Sequence, residues 1–138
     1  MAIIVQADIE AQFGTSNVRI WSNLENDSRT ANATRIEYAI AYAEDYVNNR
    51  FRAGSCRYAV PLVPASGSHS TQVKNWCAVI AGHFLYDSRR QMRESDTPDF
   101  PMRALDRVES QMDAVIAGTR AIDYVRKERA GGLPVIAP

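Results

Sequence analysis

Apolar residues return every three or four positions through three long runs, between Ile36 and Val115, and proline, glycine or polar clusters separate the runs. This spacing constrains the fold most, because it matches the 3.6-residue turn of an α-helix and not the two-residue repeat of a strand. In the first run Ile36, Ile40, Ala43, Val47 and Phe51 step along one face. Thr34 and Glu37 stand three apart, a capping-box pattern in which each side chain satisfies an otherwise orphan amide. They predict a helix from Thr34 to about Arg52, stopped at Gly54 and roughly 30 Å long. A second helix, capped by Ser70, runs to about Arg93 with Val73, Trp76, Cys77, Ile80, Phe84, Leu85 and Tyr86 as the richest apolar stripe. A third opens at Thr97-Pro98-Asp99, where proline is tolerated in the first turn. It carries Leu105, Val108, Met112 and Val115 on its core face and ends at Gly118.

Shorter pieces surround these runs. Asp8 to Gly14 reads as a brief helix, with Ile9 and Phe13 four apart and glycine as its stop. Ser16 to Leu24 reads as a second, and the polar stretch Glu25 to Thr30 as a surface loop. Ala53 to His69 carries Gly54, Pro61, Pro64 and Gly67 and is not helical. Within it Tyr58-Ala59-Val60 suits a short strand, and the rest is a loop of a length that is uncommon in compact domains and usually functional or flexible. Beyond Gly118, Ile122 and Val125 would extend a helix, whereas Gly131, Gly132 and Pro134 would not. The expected fold is all-α: a compact bundle of three long helices plus one or two short N-terminal helices. A long Pro/Gly loop joins the first two long helices, and an extended C-terminal tail closes the chain. Residues 1–118 form the domain and 119–138 an interaction segment. The expected core sets Ile36, Ile40, Val47 and Phe51 against Val73, Trp76, Ile80 and Phe84, closed by Leu105, Val108 and Met112.

At 138 residues the chain has the length of one domain with one core. It is 46% apolar and 23% charged, as globular proteins are and disordered ones are not. No run approaches the roughly 18 apolar residues that span a bilayer. The opening Met1-Ala2-Ile3-Ile4-Val5-Gln6-Ala7-Asp8 meets an acid too soon, and lacks the basic lead, for a signal peptide. Sixteen basic residues balance sixteen acidic ones, so no net charge drives the chain toward nucleic acid or anionic lipid. Cys56 and Cys77 are too few for a disulfide framework and suit a reducing compartment.

Few residues suggest chemistry. Cys77 and His83 lie six apart on one helix and point about 120° away from each other, where a metal pair needs three or four. Cys77 reads as a small core hydrophobe, His83 as a hydrogen-bonded histidine beside the stripe, and His69 as a loop residue without an obvious partner. Glu44 and Asp45 are adjacent and diverge. Asp106, Glu109 and Asp113 do share a face, more consistent with a solvated or partner-facing acidic stripe than with a cation site. There is no glycine-rich phosphate loop, nucleophile elbow or Cys-x-x-Cys. Neither catalysis nor a metal or cofactor is expected.

Charge is distributed unevenly. Between Gly54 and Arg93, Arg57, Lys74, Arg89, Arg90 and Arg93 face only Asp87, a net +4. Between Glu94 and Ala117 six acids face Arg103 and Arg107, a net −4. The last segment carries Arg120, Arg126, Lys127 and Arg129 against Asp123 and Glu128, a net +2. Unlike patches at separate places suit head-to-tail association, and the same pattern also arises from ordinary solvated helix faces. Fourteen of the sixteen basic residues are arginine, whose planar fork suits carboxylates at interfaces. The candidate interface residues are therefore Arg89, Arg90 and Arg93, the acids Asp106, Glu109 and Asp113, and Arg126, Lys127 and Arg129 of the tail.

The order of these elements has a counterpart. A short helix ends in Ala11-Gln12-Phe13-Gly14, and a capped helix finishes in Tyr46-Val47-Asn48-Asn49-Arg50-Phe51. The loop holds Tyr58-Ala59-Val60-Pro61-Leu62. The next helix runs through Val73-Lys74-Asn75-Trp76-Cys77-Ala78-Val79-Ile80-Ala81 to Tyr86-Asp87-Ser88-Arg89-Arg90, and the last closes on Ala114-Val115-Ile116-Ala117-Gly118. Over residues 5 to 118 this resembles the Mu-like phage and prophage family of small head-to-tail connector (adaptor) proteins. The resemblance implies a helical adaptor, made in the bacterial host cytoplasm, that forms a twelvefold ring with copies of itself in the virion neck. It would sit beneath the portal protein, extend the DNA channel, and dock a stopper or tail-completion protein. Genomic DNA would pass without specific binding, no membrane would be involved, and zero net charge suits such a conduit. The alternative is a small helical DNA-binding or DNA-packaging protein. No helix concentrates basic residues as that role requires, since acids follow Arg89, Arg90 and Arg93 at once. A helical accessory subunit of an enzyme is neither supported nor excluded by the residues.

Overall fold

The computed structural model describes residues 3–24, 29–53, 57–92 and 100–127. The fold is all-helical, with five helices in the order α1 (Gln6–Phe13), α2 (Thr15–Ser22), α3 (Ala33–Ala53), α4 (Thr71–Met92) and α5 (Phe100–Ala117). Among the described residues no strand forms; extended pairing is confined to two isolated bridges. The two short N-terminal helices and three long ones match the periodicity.

Helix ends follow local hydrogen bonding. Gly14, at φ 90°, turns the chain directly from α1 into α2, a conformation a Cβ would oppose. The cap of α3 is not Thr34. Asn32 caps it instead, its Oδ1 accepting from Arg35 N–H at 3.2 Å while its carbonyl accepts from Ile36 N–H at 3.1 Å. Asparagine is among the strongest N-caps. Asn32 also gives its own N–H to Ser22 Oγ at 2.9 Å, so the cap is tied to the end of α2. Ser70 caps α4 as expected, taking Val73 N–H on its hydroxyl at 3.3 Å and Lys74 N–H on its carbonyl at 3.0 Å. Gly118, at φ 87°, ends α5. The expected opening of that helix at Thr97-Pro98-Asp99 lies outside the described residues, as does Gly54.

The centre of the fold is α4, which packs against each of the other helices. Every residue from Trp76 to Gly82 is buried, the mark of a helix surrounded by protein rather than amphipathic at a surface. Trp76 is wholly buried, lies 5.9 Å from the Phe51 ring of α3, and donates its indole N–H to Gln111 Oε1 of α5 at 2.9 Å. On another side the Phe13 ring lies directly over Gly82, where a Cβ would fall 2.2 Å from a ring carbon. Phe13 meets Trp21 edge-on at 5.4 Å, and Trp21 meets Tyr86 at 5.3 Å, so α1, α2 and α4 share one aromatic contact line.

Most of the expected core is buried: Ile36, Val47, Phe51, Val73, Trp76, Ile80, Val108 and Met112. Ile40, Phe84 and Leu105 are only half-buried and edge the core. The N-terminal segment contributes much more than its length suggests, through Ile4, Ile9, Phe13, Val18 and Trp21. Tyr58, Leu62 and Tyr124 also enter the core.

Residues 119–127 are neither helical nor free. They run antiparallel to the loop after α3, with bridges Tyr58–Arg126 and Pro64–Tyr124. Ala59 N–H donates to Val125 O at 2.9 Å, Val125 N–H to Val63 O at 2.8 Å, and Lys127 N–H to Arg57 O at 2.8 Å. The long loop and the beginning of the tail therefore satisfy each other's backbone. Over residues 119–127 the segment expected to be an extended tail is thus packed on the domain itself; residues 128–138 lie outside the described residues.

Candidate functional site

The charged residues singled out from the sequence mostly act within the chain. Arg89, on the last turn of α4, is half-buried, and its Nη1 donates to Ile20 O at 2.7 Å and Asn23 O at 2.5 Å. It thereby satisfies carbonyls at the C-terminal end of α2, where a cation also complements the helix dipole. Arg90 belongs to α4, and Arg93 lies outside the described residues, as does Arg129. On α5, Glu109 takes an ion pair from Arg50 Nη2 at 3.1 Å and a hydrogen bond from the Tyr46 hydroxyl. The same Arg50 Nη2 pairs with Asp113. Asp106 is exposed and forms no ion pair among the described residues. Arg126 holds its guanidinium 6.0 Å from the centre of the Tyr58 ring, and Lys127 is exposed beside it.

Tyr46 and Arg50 went unnoticed in the sequence. Both stand on one flank of α3 four residues apart, opposite Glu109 and Asp113, also four apart on α5. Matched four-residue steps of complementary groups were the available signal. Burial, the hydrogen bond to Glu109 and that carboxylate's charge together push the Tyr46 hydroxyl up to about 12, so it remains a donor at neutral pH.

The residues with chemical potential are dispersed. Cys77 is buried, and desolvation pushes its thiol up to about 12, so it packs as an apolar group. His83 Nε2 lies 2.9 Å from the Met102 sulfur, and its ring lies 6.3 Å from that of Tyr86. His69 Nδ1 lies 2.8 Å from the Tyr124 hydroxyl, which accepts from Ser70 N–H at 3.3 Å and so has its proton to give to the histidine. Burial holds His69 below its ordinary value, with Lys74 adding to the effect and Glu44 opposing it. Glu44 accepts from Ile3 N–H at 2.5 Å. Among the described residues, no three His, Cys, Asp or Glu side chains come together as a metal set. No described helix is long and apolar enough to cross a membrane.

Two features of the surface stand out, and α3 carries both. On one flank Tyr38 is 61% exposed and Tyr42 41%. They stack beside Phe84 at 5.6 and 4.6 Å, and the Arg35 guanidinium lies 5.8 Å from the Tyr38 ring centre and 5.3 Å from that of Phe84. On the other flank, α3 and the segment leading into α1 enclose a groove of about 520 Å³. Ile4, Val5, Ile40 and Ala41 line it together with Glu37 and Glu44. Val5 stands 61% exposed there. Periodicity alone puts Ile40 in the core and marks neither flank.

A family model described as Bacteriophage Mu, Gp36 matches residues 4–129. A comparison with curated proteins finds no match.

Proposed function

The chain belongs to the bacteriophage Mu Gp36 family, and from that premise we propose that it is a structural head-to-tail connector, an adaptor in the neck of the virion. Copies of the chain form a ring, twelvefold as the family resemblance implies, beneath the portal protein. The ring prolongs the DNA channel and receives the stopper or tail-completion protein. Family membership across nearly the whole chain carries this reading. Its physical features agree with it: a zero net charge leaves passing DNA without a general electrostatic hold. The role requires no catalytic step, cofactor or metal. The protein is made in the bacterial host cytoplasm and becomes part of the particle there.

Deletion of the gene from an inducible phage tests the proposal. The expected product is DNA-filled heads alongside separate tails, with supplied protein restoring joined particles. Normal yields of tailed particles from the deletion would sink it, and so would failure to find the chain in purified particles by mass spectrometry.

A further inference from the structure

We propose that the two exposed flanks of α3 are the two halves of one contact between copies of this chain. The aromatic flank of one copy, Arg35, Tyr38 and Tyr42, seats in the groove of the next, against Val5, Ile40, Ala41 and Glu37. This rests on the ring reading and names the surfaces that would build the ring.

Three observations carry it. The first is chemical fit. Tyr38 and Tyr42 are exposed aromatic side chains with polar tips, the residue type enriched at protein contacts. The groove is concave, its apolar floor including a Val5 that is 61% exposed. The second is charge. Arg35 is held over aromatic rings but forms no ion pair among the described residues, and its Nε is buried with no hydrogen-bond partner. Glu37 on the groove is exposed and is likewise in no ion pair among them. A cation on one flank and a carboxylate on the other are complementary between copies. Within one chain they stand two residues apart on a helix and do not face each other. The third is direction. At about 100° per residue the two flanks point roughly 160° apart around the α3 axis. Unlike patches facing opposite ways give a head-to-tail contact that propagates, whereas a two-fold dimer needs one self-complementary patch. The charges picked from the sequence are less available for this purpose, because Arg89, Glu109 and Asp113 are engaged internally.

Variants with one added cysteine, Val5→Cys in the groove and Asp45→Cys on the aromatic flank two turns from Tyr38, leave Tyr38 and Tyr42 in place; each is made in a full-length Cys56→Ser background that keeps only the buried Cys77, and together they test the geometry. They are oxidised alone and mixed, as free protein and on phage particles. Only the mixture is expected to give a cross-linked pair, and the double variant a ladder beyond the dimer. Charge reversal tests the pairing. Arg35→Glu alone and Glu37→Arg alone should each abolish the ladder, and the two reversals in one chain should restore it. Circular dichroism melts confirm that each variant is folded, and Tyr38→Ala, which changes no charge, should weaken association as well. Several results would overturn the proposal: cross-linking of either variant with itself, a reversed pair that fails to rescue, or no cross-link in either setting. Capture of the Val5→Cys groove by a cysteine placed at Leu133 would also do so, by showing that the C-terminal segment is the occupant. The adaptor reading is judged separately, by whether heads lacking the chain take tails.

Discussion

Trp76 joins three helices through one side chain. Its ring lies against Phe51 of α3, its indole N–H reaches Gln111 of α5, and its own helix is surrounded by the fold. Truncating a buried aromatic loses its transfer free energy and leaves a cavity, so Trp76→Ala should cost about 3–5 kcal/mol. That is a large part of the roughly 5–15 kcal/mol that holds a domain folded. Urea titration followed by circular dichroism measures it; an unchanged midpoint would contradict the burial described. His69 offers a second test at this scale. Burial favours its neutral form, so its folded pKa lies below the ordinary 6.5. The stability it contributes is complete above 6.5 and is lost as pH falls through the lowered folded value. Protonating Nδ1 also removes the acceptor for the Tyr124 hydroxyl. Melting temperature should therefore fall more steeply below about pH 6.5 in the parent than in His69→Gln. Parallel slopes for the two proteins would show that this contact carries no such linkage.

At the scale of elements, the decisive pairing is between two segments that neither form a helix nor stand alone. The loop at 57–65 holds backbone groups that a proline-bearing stretch cannot satisfy by itself, and residues 123–127 supply the partners. Tyr124 is 4% exposed, and Tyr58 is wholly buried with its hydroxyl accepting Ile122 N–H at 2.9 Å. Cutting the chain after Gly118 therefore removes a core aromatic and leaves the Tyr58 hydroxyl without that donor. The expected loss is about 3 kcal/mol or more by thermal or denaturant melting. Cutting after Lys127 retains these bonds and should melt well above the Gly118 truncation. Equal stability of the two truncations would mean that the docked segment adds nothing.

For the whole molecule, the short N-terminal helices matter more than their length implies. Phe13 sits on Gly82, Trp21 on Tyr86, and Arg89 returns from α4 to hold the end of α2. A protein lacking residues 1–24 would expose one side of α4 to water. Calorimetry should show no cooperative transition for it, and a hydrophobic dye should bind where the full chain does not bind it. A sharp transition near the parent's temperature would reduce α1 and α2 to attachments on an independent three-helix core.

The helical period, the capping serine at 70 and the stops at Gly14 and Gly118 were local matters, settled by backbone geometry and the spacing of apolar residues, and the sequence alone determined them. The all-helical fold and most of its core followed from the same spacing. Long-range partnership was not local. Thr34 and Asn32 are both competent caps, and only the approach of Ser22 favoured Asn32. Ile40 and Phe84 share the period of their buried neighbours, and it was the packing of adjacent helices that left each of them half-covered. Arg89, Glu109 and Asp113 are charges that a sequence displays without their partners; Arg50 and the carbonyls of Ile20 and Asn23 reach them only through the tertiary fold. The exposed aromatic flank and the groove of α3 were hidden for the same reason. Periodicity tells which residues share a face, but which faces remain uncovered depends on what the rest of the chain has already packed against them.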